Sequence, residues 1–339
     1  MKHVAIDPGS LESQVCVREA DGTLLEEKKV FTKTLLTQFA AWEPRRVILE
    51  TSSEAFALAD AARAAQHEVR VVPATLVRAL GVGARRLKTD QRDARALSAA
   101  SCRVDLPSVH VPSSSSRELK SICGSRDELV ETRTKLINNA RGWLRTQLWR
   151  IRSGAPVSFP ERVRAHALER GITLPPHIAR NLEELDLVTT QIRAADAQLR
   201  EYAKSDPICR LLMTVPGVGP VTSVRFRATI DDVSRFTSSH GLQSYLGLTP
   251  GEHSSSLSQH RTGITKAGAP ATRRLLIQSA WSAFRTHESH PMVMWAKKIE
   301  QRRGKFIAVV ALARKLAGIL FAMWRSHTAY NPERGAARP

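Results

Sequence analysis

Four acids in this chain sit where their carboxylates could be gathered around a cation. The opening run Val4-Ala5-Ile6-Asp7-Pro8-Gly9 reads as a strand that ends in an acid beside a glycine, and Val47-Ile48-Leu49-Glu50 reads as a second strand ending in an acid. In Leu87-Lys88-Thr89-Asp90-Gln91-Arg92-Asp93-Ala94, Asp90 and Asp93 fall one helical turn apart and share a face. Taken singly, each has a plain reading: a turn after a strand, an exposed terminal glutamate, or acids meeting a helix dipole. Together, four carboxylates on two strand ends and one helix can hold two magnesium ions about 4 Å apart. Such a pair activates the attacking oxygen and stabilises the leaving oxygen of a phosphodiester.

Two later segments carry other chemistry. Leu211-Leu212-Met213-Thr214-Val215-Pro216-Gly217-Val218-Gly219-Pro220 has apolar flanks around a Gly-x-Gly turn that precedes a helix. The turn predicts a helix-hairpin-helix-like unit whose amides, at Gly217 and Gly219, accept a phosphate without reading sequence. A structural corner between two helices would show the same glycines. Further on, Tyr245-Leu246-Gly247-Leu248-Thr249-Pro250 leads to Ser254-Ser255-Ser256, then to Gly263-Ile264-Thr265-Lys266-Ala267-Gly268 and Arg273-Arg274. A serine triplet by composition is a polar loop. Lys266, Arg273 and Arg274 around it supply the positive charge that nucleophilic attack at phosphorus requires.

The elements that must position these residues follow from periodicity. Runs of strand length at His3–Asp7, Gln14–Arg18, Thr23–Val30, Arg46–Glu50 and Val69–Pro73 alternate with Ala-rich helical stretches at Leu35–Trp42, Glu54–Gln66 and Arg92–Ala100. This order predicts an α/β domain over residues 1–112, a mixed sheet flanked by helices. After the serines 113–116, apolar residues from Leu119 to Leu148 on one face predict a long helix. A second runs from about Leu182 to Ala203, with a Pro- and Gly-rich loop over 154–176 between them. Residues 113–205 are therefore expected to form a helical hairpin or coiled coil, 206–330 a mainly α C-terminal domain, and 331–339 a disordered tail.

Composition narrows the partner. The chain has 339 residues and a formal charge of +19, from 51 Lys and Arg against 32 Asp and Glu. That excess favours a polyanion, because each phosphate neutralised releases counterions. Four scattered cysteines, none in a C-x-x-C pair, argue against structural zinc and a disulfide framework. There is no signal-peptide pattern, and the longest apolar run, Phe306 to Trp324, is interrupted by Arg314 and Lys315. A soluble, cytoplasmic protein without a membrane partner is expected.

The order Ala-Ile-Asp7, Leu-Glu50-Thr, Lys-Thr-Asp90-x-x-Asp93-Ala, Val-Pro-Gly-Val-Gly-Pro, Tyr-Leu-Gly-Leu-Thr-Pro and Gly-Ile-Thr-Lys-x-Gly resembles the one-ten family of bacterial insertion-sequence transposases over nearly the whole chain. The resemblance implies an RNase H-like (RuvC-like) N-terminal domain whose metal ligands match Asp7, Glu50, Asp90 and Asp93, with Mg2+ or Mn2+ as the cofactor. It implies a coiled-coil region and a C-terminal domain whose serine forms a phosphoserine link to a cut strand. It also implies donor and target DNA as partners, a structured (bridge) guide RNA, action on the nucleoid, and a homo-oligomer, dimer or tetramer, with active sites shared between protomers. The family's serine motif reads Pro, three residues, Ser, Ser or Thr, Gly. Counting from Pro250 gives Ser254, but Ser256 stands where glycine is expected, so Ser255 stays open as the nucleophile.

Three other readings compete. A RuvC-like junction resolvase would use metal-activated water and would not need the serine segment. A nucleic-acid-binding protein with a degenerate nuclease fold would not need all four acids. A sugar kinase, which also opens on a strand and Asp-x-Gly, would carry a second such loop in its later half, and the sequence has none.

Overall fold

The computed structural model describes residues 1–79, 90–255 and 258–332; at 77–79, 90–91, 253–255 and 258–261 it describes the backbone alone. The chain forms two compact units, Met1–Pro112 and Ser113–Pro339.

In the first unit β1 (His3–Asp7), β2 (Glu12–Arg18) and β3 (Leu24–Phe31) form an antiparallel meander. They are followed by α1 (Thr32–Ala41), β4 (Arg46–Glu50), α2 (Ala55–Ala64), β5 (Glu68–Val72), α3 (Ala74–Ala79) and α4 (Asp90–Arg103). The sheet order is β3-β2-β1-β4-β5, with β4 parallel to β1 and β5 parallel to β4. Side-chain alternation gives each face its own core. Val4, Ile6, Val47, Leu49 and Val71 pack with Leu35 and Phe39 of α1 and Leu58 and Ala62 of α2. Ala5, Ile48 and Val72 point the other way, onto Leu97 of α4. The α4 contact face is built from Asp93, Ala94, Leu97, Ser98 and Ser101, all buried. Its small residues let the helix lie close to the sheet, where Ser101 Oγ meets His3 Nδ1 at 2.7 Å and Ser98 Oγ meets Cys16 Sγ at 3.1 Å.

The second unit opens with α5 (Ser114–Thr146), capped by the Ser113 side chain. At about 1.5 Å per residue it is roughly 50 Å long. A short helix α6 (Phe159–Glu169) leads to α7 (Pro176–Ser205), which returns along α5. Their seam holds Ile137, Ala140, Leu144, Ile178, Leu182 and Leu185 at one end, and Leu119, Cys123, Leu199 and Ala203 at the other. The helix α6 lies inside the segment expected to be loop. Phe159, Val163 and Ala167 recur at helical spacing and are buried, and Pro160 stands in the first turn, where proline starts a helix rather than breaking it.

Next come α8 (Pro207–Leu212), α9 (Pro220–Ile230), α10 (Ser239–Tyr245), the hairpin β6 (Pro250–Ser255) and β7 (Ser258–Ile264), then α11 (Pro270–Thr286), α12 (Pro291–Arg303) and α13 (Lys305–Ser326). The region is mainly helical. Among the described helices α13 is the one long and apolar enough to cross a membrane, but its Ala308, Leu312, Ala313, Leu316, Ala317 and Leu320 form the centre of this unit's largest core. The expected tail falls mostly on residues outside those described.

Candidate active site

Strand register decides where the first acids go. Ile6 pairs with Leu49 across the parallel β1–β4 ladder, so Asp7 and Glu50 end adjacent strands side by side. Both have the parity of Ala5 and Ile48, which places them on the α4 face. From the first turn of that helix Asp93 comes to the same point. One carboxylate oxygen from each of Asp7, Glu50 and Asp93 lies within 4.8 Å of the others. Asp93 is 0 % exposed and Glu50 8 %, whereas Asp7 is half-buried and opens the group to solvent. Asp90 is the first residue of α4, one turn before Asp93; its side chain lies outside those described.

Three carboxylates held this closely repel one another. At an effective dielectric near 20, a separation of 4.8 Å costs about 3 kcal/mol per charged pair. A divalent cation relieves that repulsion, and an all-oxygen donor set suits a hard ion. Oxygens gathered to within 4.8 Å of one another are close enough to share one such ion. Sheet geometry supports the same use, since ligands of open α/β sheets bind beyond the carboxyl ends of parallel strands. Nearby Cys16 does not join the donors: it contacts Ser98, and burial pushes its thiol pKa up, which keeps it protonated.

The glycine after Asp7 has a local task. A Cβ on Gly9 would stand 2.3 Å from the Glu12 carbonyl oxygen, and Gly9 itself accepts a hydrogen bond from Thr32 Oγ1 at 2.7 Å. It permits the tight turn into β2.

In the second unit Ser254 and Ser255 stand on β6, opposite Gln259 and Ser258 of β7. Their side chains, and all of Ser256, lie outside those described. The base of this hairpin is a packed double turn. Gly247 and Gly268 both have positive φ, +66° and +71°, and a Cβ on either would collide with the opposing turn, at Ala267 O (2.1 Å) and Tyr245 O (1.9 Å). Arg273, buried beneath, donates from one guanidinium nitrogen to Leu246 O (2.9 Å) and Ala267 O (2.8 Å). Arg273 was expected to face nucleic acid; the structure instead commits it to the carbonyls that hold the two turns together. Sequence reasoning missed this clamp, although the glycines of Tyr-Leu-Gly-Leu and Lys-x-Gly were its visible signal.

Arg274 is half exposed and pairs with Asp127 (3.2 Å) and Glu131 (3.4 Å) of α5. Lys266 is exposed, with a left-handed backbone, φ +57°. The two glycines of the α8–α9 turn part company. Gly217 has φ +84°, and a Cβ there would meet the Ser279 carbonyl at 2.3 Å, so it serves close packing on α11. Gly219 caps α9 and faces open space, leaving the first amides of that helix without a side-chain cap.

The sequence relatives agree with this layout. A transposase family model of the DEDD type matches residues 4–147, the region of the acids, and the Transposase IS116/IS110/IS902 family model matches residues 209–292, the region of the double turn and serine hairpin. The transposase for insertion sequence element IS1111A of Coxiella burnetii is 30% identical over 249 residues, 72% of this chain and 68% of that protein. A probable family 20 transposase of Pseudomonas aeruginosa is 30% identical over 301 residues, covering 87% and 88%. The transposase for element IS1328 of Yersinia enterocolitica is 25% identical over 339 residues, covering 97% and 98%. Both regions that carry candidate chemistry thus fall under one kind of enzyme, and the chain belongs to the IS116/IS110/IS902 family of insertion-sequence transposases, enzymes of DNA transposition.

Proposed function

We propose that this transposase cuts and rejoins DNA with a serine nucleophile supported by a magnesium-binding centre at Asp7, Glu50, Asp90 and Asp93 on an RNase H-like (RuvC-like) domain. The observation that carries the reading is the convergence of the Asp7, Glu50 and Asp93 oxygens at the carboxyl ends of β1 and β4. A three-strand meander followed by two parallel strands, with the acids on its central edge, supports the RNase H-like assignment. When bound, magnesium (or manganese) supplies Lewis-acid stabilisation of charge on the phosphate oxygens.

The chain's own residues do the rest. Ser254 Oγ, with Ser255 as the other candidate, attacks phosphorus; a serine–phosphate ester forms as one P–O bond of the strand breaks, and the released hydroxyl later reverses the step on a new strand. The hydroxyl proton passes to solvent. Lys266 stands at the base of the serine hairpin and offers positive charge. The amides after Gly219, at the start of α9, are placed to take a DNA phosphate. A net charge of +19 supports both a DNA substrate and a structured guide RNA, in a homo-oligomer acting in the cytoplasm.

The test is denaturing electrophoresis after incubating the protein, its copurifying RNA and labelled element-end DNA with magnesium. A covalent protein–DNA band is expected for wild type and absent for Ser254→Ala. Cleavage without any such band would favour the resolvase reading, in which water attacks. A band that survives Ser254→Ala but not Ser255→Ala moves the nucleophile by one residue.

A further inference from the structure

A groove of about 570 Å³ lies between the serine hairpin and the α12–α13 corner, within the range typical of small-ligand sites, roughly 300–1,000 Å³. Its walls are apolar, formed by Leu248, Pro250 and Ile264 on the hairpin side and by Phe306, Ile307 and Val310 on the helix side. Its only charged lining residues among those described are cations, Lys266, Arg303 and Arg314. Arg314 is anchored through Gln243 Oε1 at 2.9 Å; Lys266 and Arg303 are exposed. At its edge Phe306 is 79 % exposed, an unusual position for a large aromatic ring, and is braced edge-on by Trp281 with ring centroids 6.0 Å apart.

We propose that this groove holds an unpaired base of the DNA strand under cleavage, stacked on Phe306, with the flanking phosphates met by Lys266 and Arg303. The pairing of a flat apolar ring with cations, and with no acid among the described lining residues, is the chemistry of single-strand binding: bases stack, phosphates neutralise charge. Moving a strand from one duplex to another exposes bases that need such a platform. Placement fits as well. Pro250, in the groove wall, opens β6, and Ser254 lies four residues along that strand, about 13 Å at roughly 3.3 Å per residue. A strand whose phosphate reaches Ser254 therefore has its neighbouring nucleotides within reach of the groove. The inference rests on the serine reading only for this placement.

The experiment uses the full-length protein and fluorescence anisotropy with labelled oligothymidylate of about a dozen nucleotides. Phe306→Ala is expected to weaken binding about tenfold, from the loss of one stacked base, and Phe306→Tyr to keep it. Duplex DNA of the same length is expected to bind Phe306→Ala and wild type alike. Arg303→Gln should reduce the salt dependence of single-strand binding by about one counterion. Unchanged affinity in Phe306→Ala, at an unchanged melting temperature, overturns the proposal. So does a tenfold loss on oligouridylate with none on oligothymidylate, which would make RNA the occupant. A smaller assembly in light scattering for Phe306→Ala with equal DNA affinity would make it a second copy of the chain. None of these readouts depends on a covalent serine adduct, so failure here and failure of the serine reading are separable.

Discussion

Replacing Asp93 with asparagine removes one charge from a group whose oxygens lie within 4.8 Å of each other, two of its three members being buried. In the presence of a chelator, Asp93→Asn should therefore unfold at a higher temperature than wild type, as its repulsion with both Asp7 and Glu50 is relieved. With magnesium added, wild type should gain stability and Asp93→Asn should not. Differential scanning calorimetry with and without magnesium reads both effects. The arginine pair at the start of α11 makes a complementary case. Arg273→Ala strips the donor from two carbonyls beneath the serine hairpin and should cost about 2–4 kcal/mol in urea denaturation. Arg274→Ala, at a half-exposed site, should cost under about 1 kcal/mol. Both residues look alike as an Arg-Arg pair in the sequence. Burial alone separates them, and burial depends on Gly247 and Gly268 bringing two distant turns together.

Among the elements, the α8–α9 turn is the sharpest test of what its glycines do. Gly217→Ala forces a Cβ against the Ser279 carbonyl at a positive φ and should destabilise the second unit by about 1–3 kcal/mol, whereas Gly219→Ala should be nearly neutral in stability. Chemical denaturation of the two variants side by side distinguishes them. On the sheet, His3 is tied to Ser101 of α4, and its pKa is lowered by burial first and by the Arg46 guanidinium next. The folded protein then binds fewer protons than the unfolded chain below the ordinary imidazole value of about 6.5. Stability present above that pH is lost as pH falls through it toward the lowered value, and His3→Gln should flatten this loss in thermal melts from neutral to mildly acidic pH.

The strands of the first unit were legible as short apolar or β-branched runs bounded by turn residues, as at Val4 through Ile6 and Val47 through Leu49, whereas the β6–β7 hairpin was not, because its polar sequence carries no such run. The helix α6 was hidden by Pro156 and Pro160, which read as breakers until position in the first turn is considered. The shared face of Asp7 and Glu50 was only partly legible: alternation fixes each residue's parity, but the register Ile6 to Leu49 comes from strand pairing, which sequence spacing does not encode. The proposal that Ser254 or Ser255 attacks DNA owes most to family resemblance, since a serine run has no physical signature of its own.

For the whole molecule the dominant property is charge. With +19 on 339 residues, affinity for non-specific duplex DNA should fall by about a thousandfold as salt rises from about 50 to about 200 mM, if six or more phosphates are neutralised. A gel-shift series over that range measures the slope. The same charge makes RNA a natural companion, and sequencing of RNA that copurifies at low salt would show a discrete species from the element's flank if a guide is bound, and a featureless mixture if charge alone retains it. The most direct test of the account is a titration of Mn2+ into the full-length protein, followed by the paramagnetic resonance of the free ion, in parallel with strand cleavage. Wild type should bind the ion and cut DNA, while Asp93→Asn and Glu50→Gln should each lose about tenfold or more in affinity and lose cleavage with it. Variants that bind Mn2+ as wild type does, or that cut DNA undiminished, would contradict a catalytic metal centre at these acids.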